Sequence, residues 1–199
     1  MVDFTKIKEA LLKCDYEVGL FSSANSAKEY LETVIYGKTV GIGGSMSVKE
    51  MGLYDALCKN NTVYWHWMSS SVAETLKNAQ NADVYISSVN AISENGEIVN
   101  IDGTCNRVTS VSYGHEKVYL IVGCNKICEN LEKAIYRARN VAAPLNAKRL
   151  GSATPCAKNA DKCYDCNSKD RICKELSVLM RRPTKQKIEI LLIAESLGY

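Results

Sequence analysis

Lys38-Thr-Val-Gly-Ile-Gly-Gly-Ser45 decides the fold. Its first half is a short apolar run with β-branched residues, preceded by Gly37, and it ends in glycines: a buried strand running into a glycine turn. Ser47-Val-Lys-Glu50 follows with capping-box spacing, so a helix starts at once. Strand, turn and helix in that order make half of a βαβ unit.

The same alternation extends in both directions. Upstream, Phe4, Ile7, Leu11 and Cys14 recur at helical spacing over residues 4–14. Ser26-Ala-Lys-Glu29 reads as a capping box for a helix through Tyr30, Leu31, Val34 and Ile35, stopped at Gly37. Downstream, Thr62–Met68 reads as strand, Ser71-Val-Ala-Glu74 caps a helix to Gln80, and Asp83–Ser88 is the next strand. Ile92–Val99 predicts a hairpin, with Asn95-Gly96 at a turn needing positive φ at both centres. A helix after Gly103, a strand at Lys117–Val122, a helix over 126–139, a short helix at Pro144–Leu150 and a last strand at Lys187–Ile193 complete the reading. The expected class is α/β, a mostly parallel sheet with helices on both faces. The division expected is an α/β domain over 1–150, a four-cysteine metal or Fe-S segment over 151–175, and C-terminal strands over 176–199 that complete the same domain.

Bulk numbers bound the function. The 199 residues suit one domain with an appendage. Lys and Arg number 25 against 22 Asp and Glu, a net +3 with the signs interleaved, which does not suggest a nucleic-acid surface. Arg181-Arg182, the densest basic spot, reads as a solvated loop. Met1-Val-Asp-Phe-Thr-Lys6 lacks the pattern of a signal peptide, and no apolar run approaches the ~18 residues of a membrane span. A cytoplasmic protein with no membrane partner is expected.

Nine cysteines are many for a reducing compartment, where structural disulfides are rare. Cys14 and Cys58 fall on apolar faces of expected helices and read as small core residues. Cys156, Cys163, Cys166 and Cys173 differ: a Cys-x2-Cys pair lies between two flanking cysteines, each separated from it by six residues. Four thiolates can complete a tetrahedral or cubane ligand set. Residues 151–171 are polar and rich in turn formers and cannot pack a core of their own, so ligation would also organise them. A 4Fe-4S cluster is the first expectation and zinc the alternative.

A second cluster is polar. Asn100-Ile-Asp-Gly-Thr-Cys-Asn-Arg107 packs a carboxylate, two amides, a hydroxyl, a thiol and a guanidinium around a glycine. Arg107 can grip a carboxylate or phosphate, Asp102 can act as base, and a helix N-terminus beside Arg107 would lower the pKa of Cys105. Gly41-Ile-Gly-Gly-Ser45 can bring backbone N–H groups close to an anion. Ser87-Ser-Val-Asn90 ends a strand where open α/β sheets bind ligands. His66 and His115 have no ligand or triad spacing, and His66 reads as a strand residue half in the core.

Taken in order, Gly41-Ile-Gly-Gly-Ser-Met-Ser-Val-Lys-Glu50-Met-Gly52, Ser88-Val-Asn90-Ala-Ile, Gly96-Glu-Ile-Val-Asn100-Ile-Asp-Gly-Thr104, Asn106-Arg107, Val122-Gly-Cys-Asn-Lys126 and Asn140-Val-Ala-Ala-Pro-Leu-Asn-Ala-Lys-Arg149 resemble the lactate utilization (LUD) family. The resemblance implies a fold like ribose-5-phosphate isomerase and the CoA transferases. It implies a link to oxidation of L-lactate to pyruvate beside iron–sulfur or flavin partner subunits, and it leaves room for a homo-oligomer. It carries over Gly43, Gly44, Ser45, Glu50, Asn90, Asn100, Asp102, Gly103, Thr104, Asn106, Arg107 and Lys126 as site positions, with Glu50, Asp102, Arg107 and Cys105 as candidates for chemistry. Position 105 is usually glycine in such sequences; here it is cysteine. Three functions are open: a redox or accessory subunit binding a small anionic metabolite, a non-redox isomerase or acyl- or phosphoryl-handling enzyme with a structural metal, and a metabolite- or redox-sensing module.

Overall fold

Alternate residues along the central strands feed two separate apolar layers. Tyr119, Ile121, Leu191 and Ile193 enter one cluster; Val118, Leu120, Val122, Ile190 and Leu192 enter the other. The period of two puts neighbours on opposite faces, and a strand buried on both faces must be apolar throughout. The computed structural model describes residues 2–199. Its main sheet has strands β1 (Glu17–Phe21), β2 (Thr39–Ile42), β3 (Thr62–Trp65), β4 (Val84–Ser88), β7 (Lys117–Gly123) and β10 (Ile188–Ile193), in the order β1-β10-β7-β4-β2-β3. All five pairings are parallel. The fold is α/β, as expected.

Helices α2 (Ala24–Val34), α3 (Met46–Glu50) and α4 (Leu53–Cys58) cover one face, contributing Leu31, Val48 and Leu57; α1 (Thr5–Lys13) covers the other with Ile7 and Leu11. Helices α5 (Val72–Gln80) and α6 (Asn106–Ser112) complete the first half of the chain. A second sheet, β8-β5-β6-β9, is built from β5 (Ala91–Ser93), β6 (Ile98–Asp102), β8 (Ile127–Cys128) and β9 (Glu175–Leu179). Ala134 on α7 (Leu131–Arg137) packs against Ala91 and Val99 of this sheet. A π-type turn over Ala138–Ala142 joins α7 to α8 (Ala143–Arg149). Pro144 has no N–H to close the regular ladder there, which accounts for the wider turn.

Several local expectations are corrected. The helix after Ser26 starts earlier: Ser23 is its N-cap, and Ser23 and Ser26 form the box. Ser45, not Ser47, caps α3, since Ser47 turns into the interior. The strand at 62–68 stops at Trp65, and His66–Met68 form a 3-10 turn. Only Gly96 of the hairpin turn has positive φ. A single helix over 126–139 does not form: Asn130 caps α7, and β8 precedes it. Cys58 is exposed rather than core, at the last turn of α4. No helix among the described residues is long and apolar enough to cross a membrane.

Candidate ligand cleft and cysteine loop

Strands β2 and β4 are neighbours, and their carboxyl ends open into a cavity of about 340 Å³. That position and size suit a small ligand. The glycine turn delivers Gly44 and Ser45 to one wall. Ser45 Oγ accepts from Val48 N at 3.2 Å and donates to Ser88 Oγ at 2.8 Å, locking the turn to β4. Gly43 lies behind the wall, where a Cβ would stand 2.8 Å from Tyr85 Oη and 3.0 Å from the Arg107 side chain.

The second sheet supplies the facing wall. Asn90 and Asn100 clamp its entrance: Asn90 N donates to Asn100 Oδ1 at 3.2 Å, and Ile101 N donates to Asn90 Oδ1 at 2.6 Å. Asp102, at the end of β6, is 6% exposed and serves three neighbours. Its Oδ1 accepts from Thr104 N at 3.1 Å and Cys105 N at 3.0 Å, while its Oδ2 lies 3.0 Å from Arg107 Nε. Arg107 also donates to Ile101 O at 2.7 Å. One oxygen of the carboxylate thus builds the turn, while the other pairs with the arginine by charge and makes no hydrogen bond. Gly103 allows Ile172 to pack closely, since a Cβ there would meet Ile172 O at 2.7 Å.

Lys126 forms the floor, only 2% exposed. Burial, reinforced by Arg137 and Arg107, lowers its pKa from 10.5 to about 7. Its Nζ donates to Ser47 Oγ at 2.8 Å, and that hydroxyl donates to Leu197 O at 3.1 Å. Glu50 stands outside the cavity lining and accepts from Gly198 N at 2.7 Å.

The cavity therefore gathers Gly44, Ser45, Asn90, Asp102, Gly103, Thr104, Asn106, Arg107 and Lys126 from the sequence-derived set, and leaves Gly43, Glu50, Asn100 and Cys105 behind it. Cys105 adopts φ 64°, the left-handed region where glycine carries no penalty. The Glu175 carboxylate, its hydrogen-bond partner, pushes the thiol's pKa up, with desolvation adding to it. This reverses the expected depression, because Glu175 on β9 is a neighbour that residues 100–107 cannot reveal.

Other lining residues escaped the reading of the sequence. His66 and Trp67 reach the cavity from the 3-10 turn, Asn146 and Arg149 from α8, and Lys174 from the chain entering β9. Arg149 lies over the Trp67 ring at 4.6 Å and donates to Asn146 Oδ1 at 2.7 Å. Burial, with Arg149 nearby, holds His66 below its ordinary pKa, so the ring is neutral at physiological pH. Asn146 and Arg149 lay within the last motif of the family resemblance; His66, Trp67 and Lys174 carried no local signal. With Asp102 already paired to Arg107, Arg149 and Lys174 leave the cavity an excess of positive charge.

Cys156, Cys163, Cys166 and Cys173 lie on one loop beside this cavity. Helix α9 (Pro155–Asn159) carries Cys156 against Ala147 of α8 and Ile172. Cys163 N donates to Asn140 Oδ1 at 3.1 Å, tying the loop to the π-type turn. Arg171 donates to the carbonyls of Cys166 at 2.8 Å and Cys173 at 2.9 Å. Burial first, and then the charge of the other three thiols, raises the Cys173 thiol to about 11. All four cysteines are free of disulfides. Among the described residues no group of three or more His, Cys, Asp or Glu side chains is arranged to hold a metal ion. Thiols are the donor type that 4Fe-4S clusters and zinc take, but the structure does not gather these four into one ligand set.

Parallel sheet, strand-end cleft and cationic lining define an α/β protein with a positively charged cavity at its strand ends. More particularly, the model of the LUD domain matches residues 4–193, and the chain belongs to that family. No curated protein matches the chain. Its fold is similar to the crystal structure of a DUF162 family protein from Deinococcus radiodurans, with TM-score 0.54 and 10% identity over 94% of each chain.

Proposed function

We propose that this LUD-domain protein is a redox or accessory subunit of 2-hydroxy-acid utilization. It binds a small carboxylate such as L-lactate or pyruvate in the cleft and a 4Fe-4S cluster on the cysteine loop. The observation that carries the reading is the cationic cleft whose wall continues into the cysteine loop. Ile172 and Lys174 line the cavity, and Cys173 lies between them. A metal centre held by Cys173 would therefore set the position of two cleft residues. When bound, such a cluster supplies one-electron transfer; the chain's own residues hold and orient the acid. Lys174 and Arg149 attract the carboxylate, the Asn106 amide offers a hydrogen bond to its oxygens, and Arg107 is held by its ion pair with Asp102.

Purification without oxygen, followed by iron, sulfide and zinc analysis and by calorimetry with L-lactate and pyruvate, tests the reading. Iron and sulfide in equal amounts with saturable acid binding is the expected result. One zinc and no iron would overturn the redox half, and no binding of either acid would overturn the cleft half.

A further inference from the structure

Lys126 is a buried amine without a counter-ion. Its Nζ reaches one acceptor, Ser47 Oγ, whereas an ammonium carries three donors. Among the described residues no carboxylate lies within ion-pair distance of it. Glu50, the nearest acid by charge, is engaged by Gly198 N, and the two closest cations, Arg137 and Arg107, repel a further positive charge. The side chain nevertheless forms part of the cavity wall. A buried lysine kept uncharged beside a ligand cavity is a nucleophile, and the positive groups around this cavity select a ligand that is both electrophilic and anionic.

We propose that Lys126 condenses with the ketone of a 2-oxo acid held in the cleft, forming an imine. The neutral amine's lone pair attacks the carbonyl carbon, making the C–N bond and a carbinolamine. Loss of the oxygen as water, carrying both amine hydrogens, leaves C=N; protonation from solvent gives the iminium. No oxidant or reductant is consumed. The depressed pKa supplies free amine at neutral pH. Ser47 Oγ, which accepts from Lys126 and donates to Leu197 O, fixes the amine's direction and is a positioning residue.

The inference rests on the acid-binding reading of the cleft, and the test separates the two. The protein is incubated near neutral pH with pyruvate and cyanoborohydride, then with L-lactate, which has no ketone, and analysed by intact mass and peptide mapping. One reduced pyruvate adduct mapping to Lys126, absent with L-lactate, is expected. Lys126→Met, its folding checked by circular dichroism, should abolish the adduct. Saturable binding of either acid with no adduct, or adducts scattered over surface lysines without preference for Lys126, overturns the imine and leaves the cleft reading standing. Absence of both binding and adduct overturns the two together.

Discussion

The cleft and the cysteine loop sit side by side and are held in opposite ways. In the cleft wall, side chains satisfy the irregular backbone. Asp102 caps two N–H groups, Asn90 and Asn100 clamp the hairpin entrance, and Arg137 donates to Asn90 O at 2.6 Å and Asn125 O at 2.8 Å. The loop has side-chain bonds to its backbone too, from Asn140, Ser168, Asp170 and Arg171, but it buries no residue over 160–174. Two of its non-glycine residues, Ala160 at φ 55° and Asp165 at φ 45°, lie in the left-handed region. Its ion pairs converge on an Asp165 side chain that is 73% exposed, where pairing adds little stability. One region is organised by its own polar groups; the other has the composition of a segment whose order comes from something it binds.

Stripping the metal proposed for the loop should therefore produce the largest effect. Metal-bound protein should protect amides of residues 160–174 at least ~100-fold more than metal-free protein, while β7 and β10 exchange alike in both. Hydrogen exchange read by mass spectrometry checks this. Equal protection in the two states would mean the loop is self-sufficient and the contrast is wrong.

The cleft should break differently, by losing one side chain. Asp102→Ala removes both backbone caps and leaves the half-buried Arg107 unpaired, at a cost of about 3 kcal/mol in urea unfolding. Asp102→Asn should recover part of this, because an amide oxygen can still accept from Thr104 and Cys105. If the alanine variant unfolds like the parent, the turn is held by something other than this carboxylate.

How much of this was legible follows from where each signal resides. Central strands could be read because burial on both faces makes them apolar throughout, as in Ile188–Ile193. β1 was not read: it is an edge strand, half exposed, and its apolar residues do not stand out. Asn100 to Arg107 announced itself because a hairpin end and a helix start concentrate polar groups within eight residues. Arg149, His66 and Lys174 reach the same cavity from three separate elements, and no local pattern records a meeting made only by packing. Ser47 misled because its hydroxyl has the spacing of a cap yet serves Lys126, a partner distant in sequence.

Lys126 sharpens the contrast through pH. Its folded-state pKa is depressed to about 7 from 10.5, so burial opposes protonation and the native state loses stability as pH falls from 10.5 to about 7. Lys126→Met removes the penalty without orphaning Ser47, whose hydroxyl keeps Leu197 O. The variant should gain on the order of 2 kcal/mol below pH ~7, and the gain should shrink as pH rises toward 10.5. Urea midpoints across that range check it; a gain independent of pH would assign the effect to packing rather than charge.

The smallest effect concerns the one cleft segment that departs from its family's pattern. Cys105 occupies φ 64° and ψ 4° at the N-terminus of α6. A side chain costs ~1 kcal/mol there, and glycine's greater freedom in the unfolded chain offsets part of that. Cys105→Gly should therefore stabilise the protein by only about 0.5 kcal/mol, measured as a shift in the urea midpoint. Cys105→Ala separates the causes: it keeps the Cβ and removes the thiol beside Glu175. Backbone strain predicts a gain for glycine alone, whereas an equal gain for alanine would trace the effect to the thiol and its carboxylate neighbour.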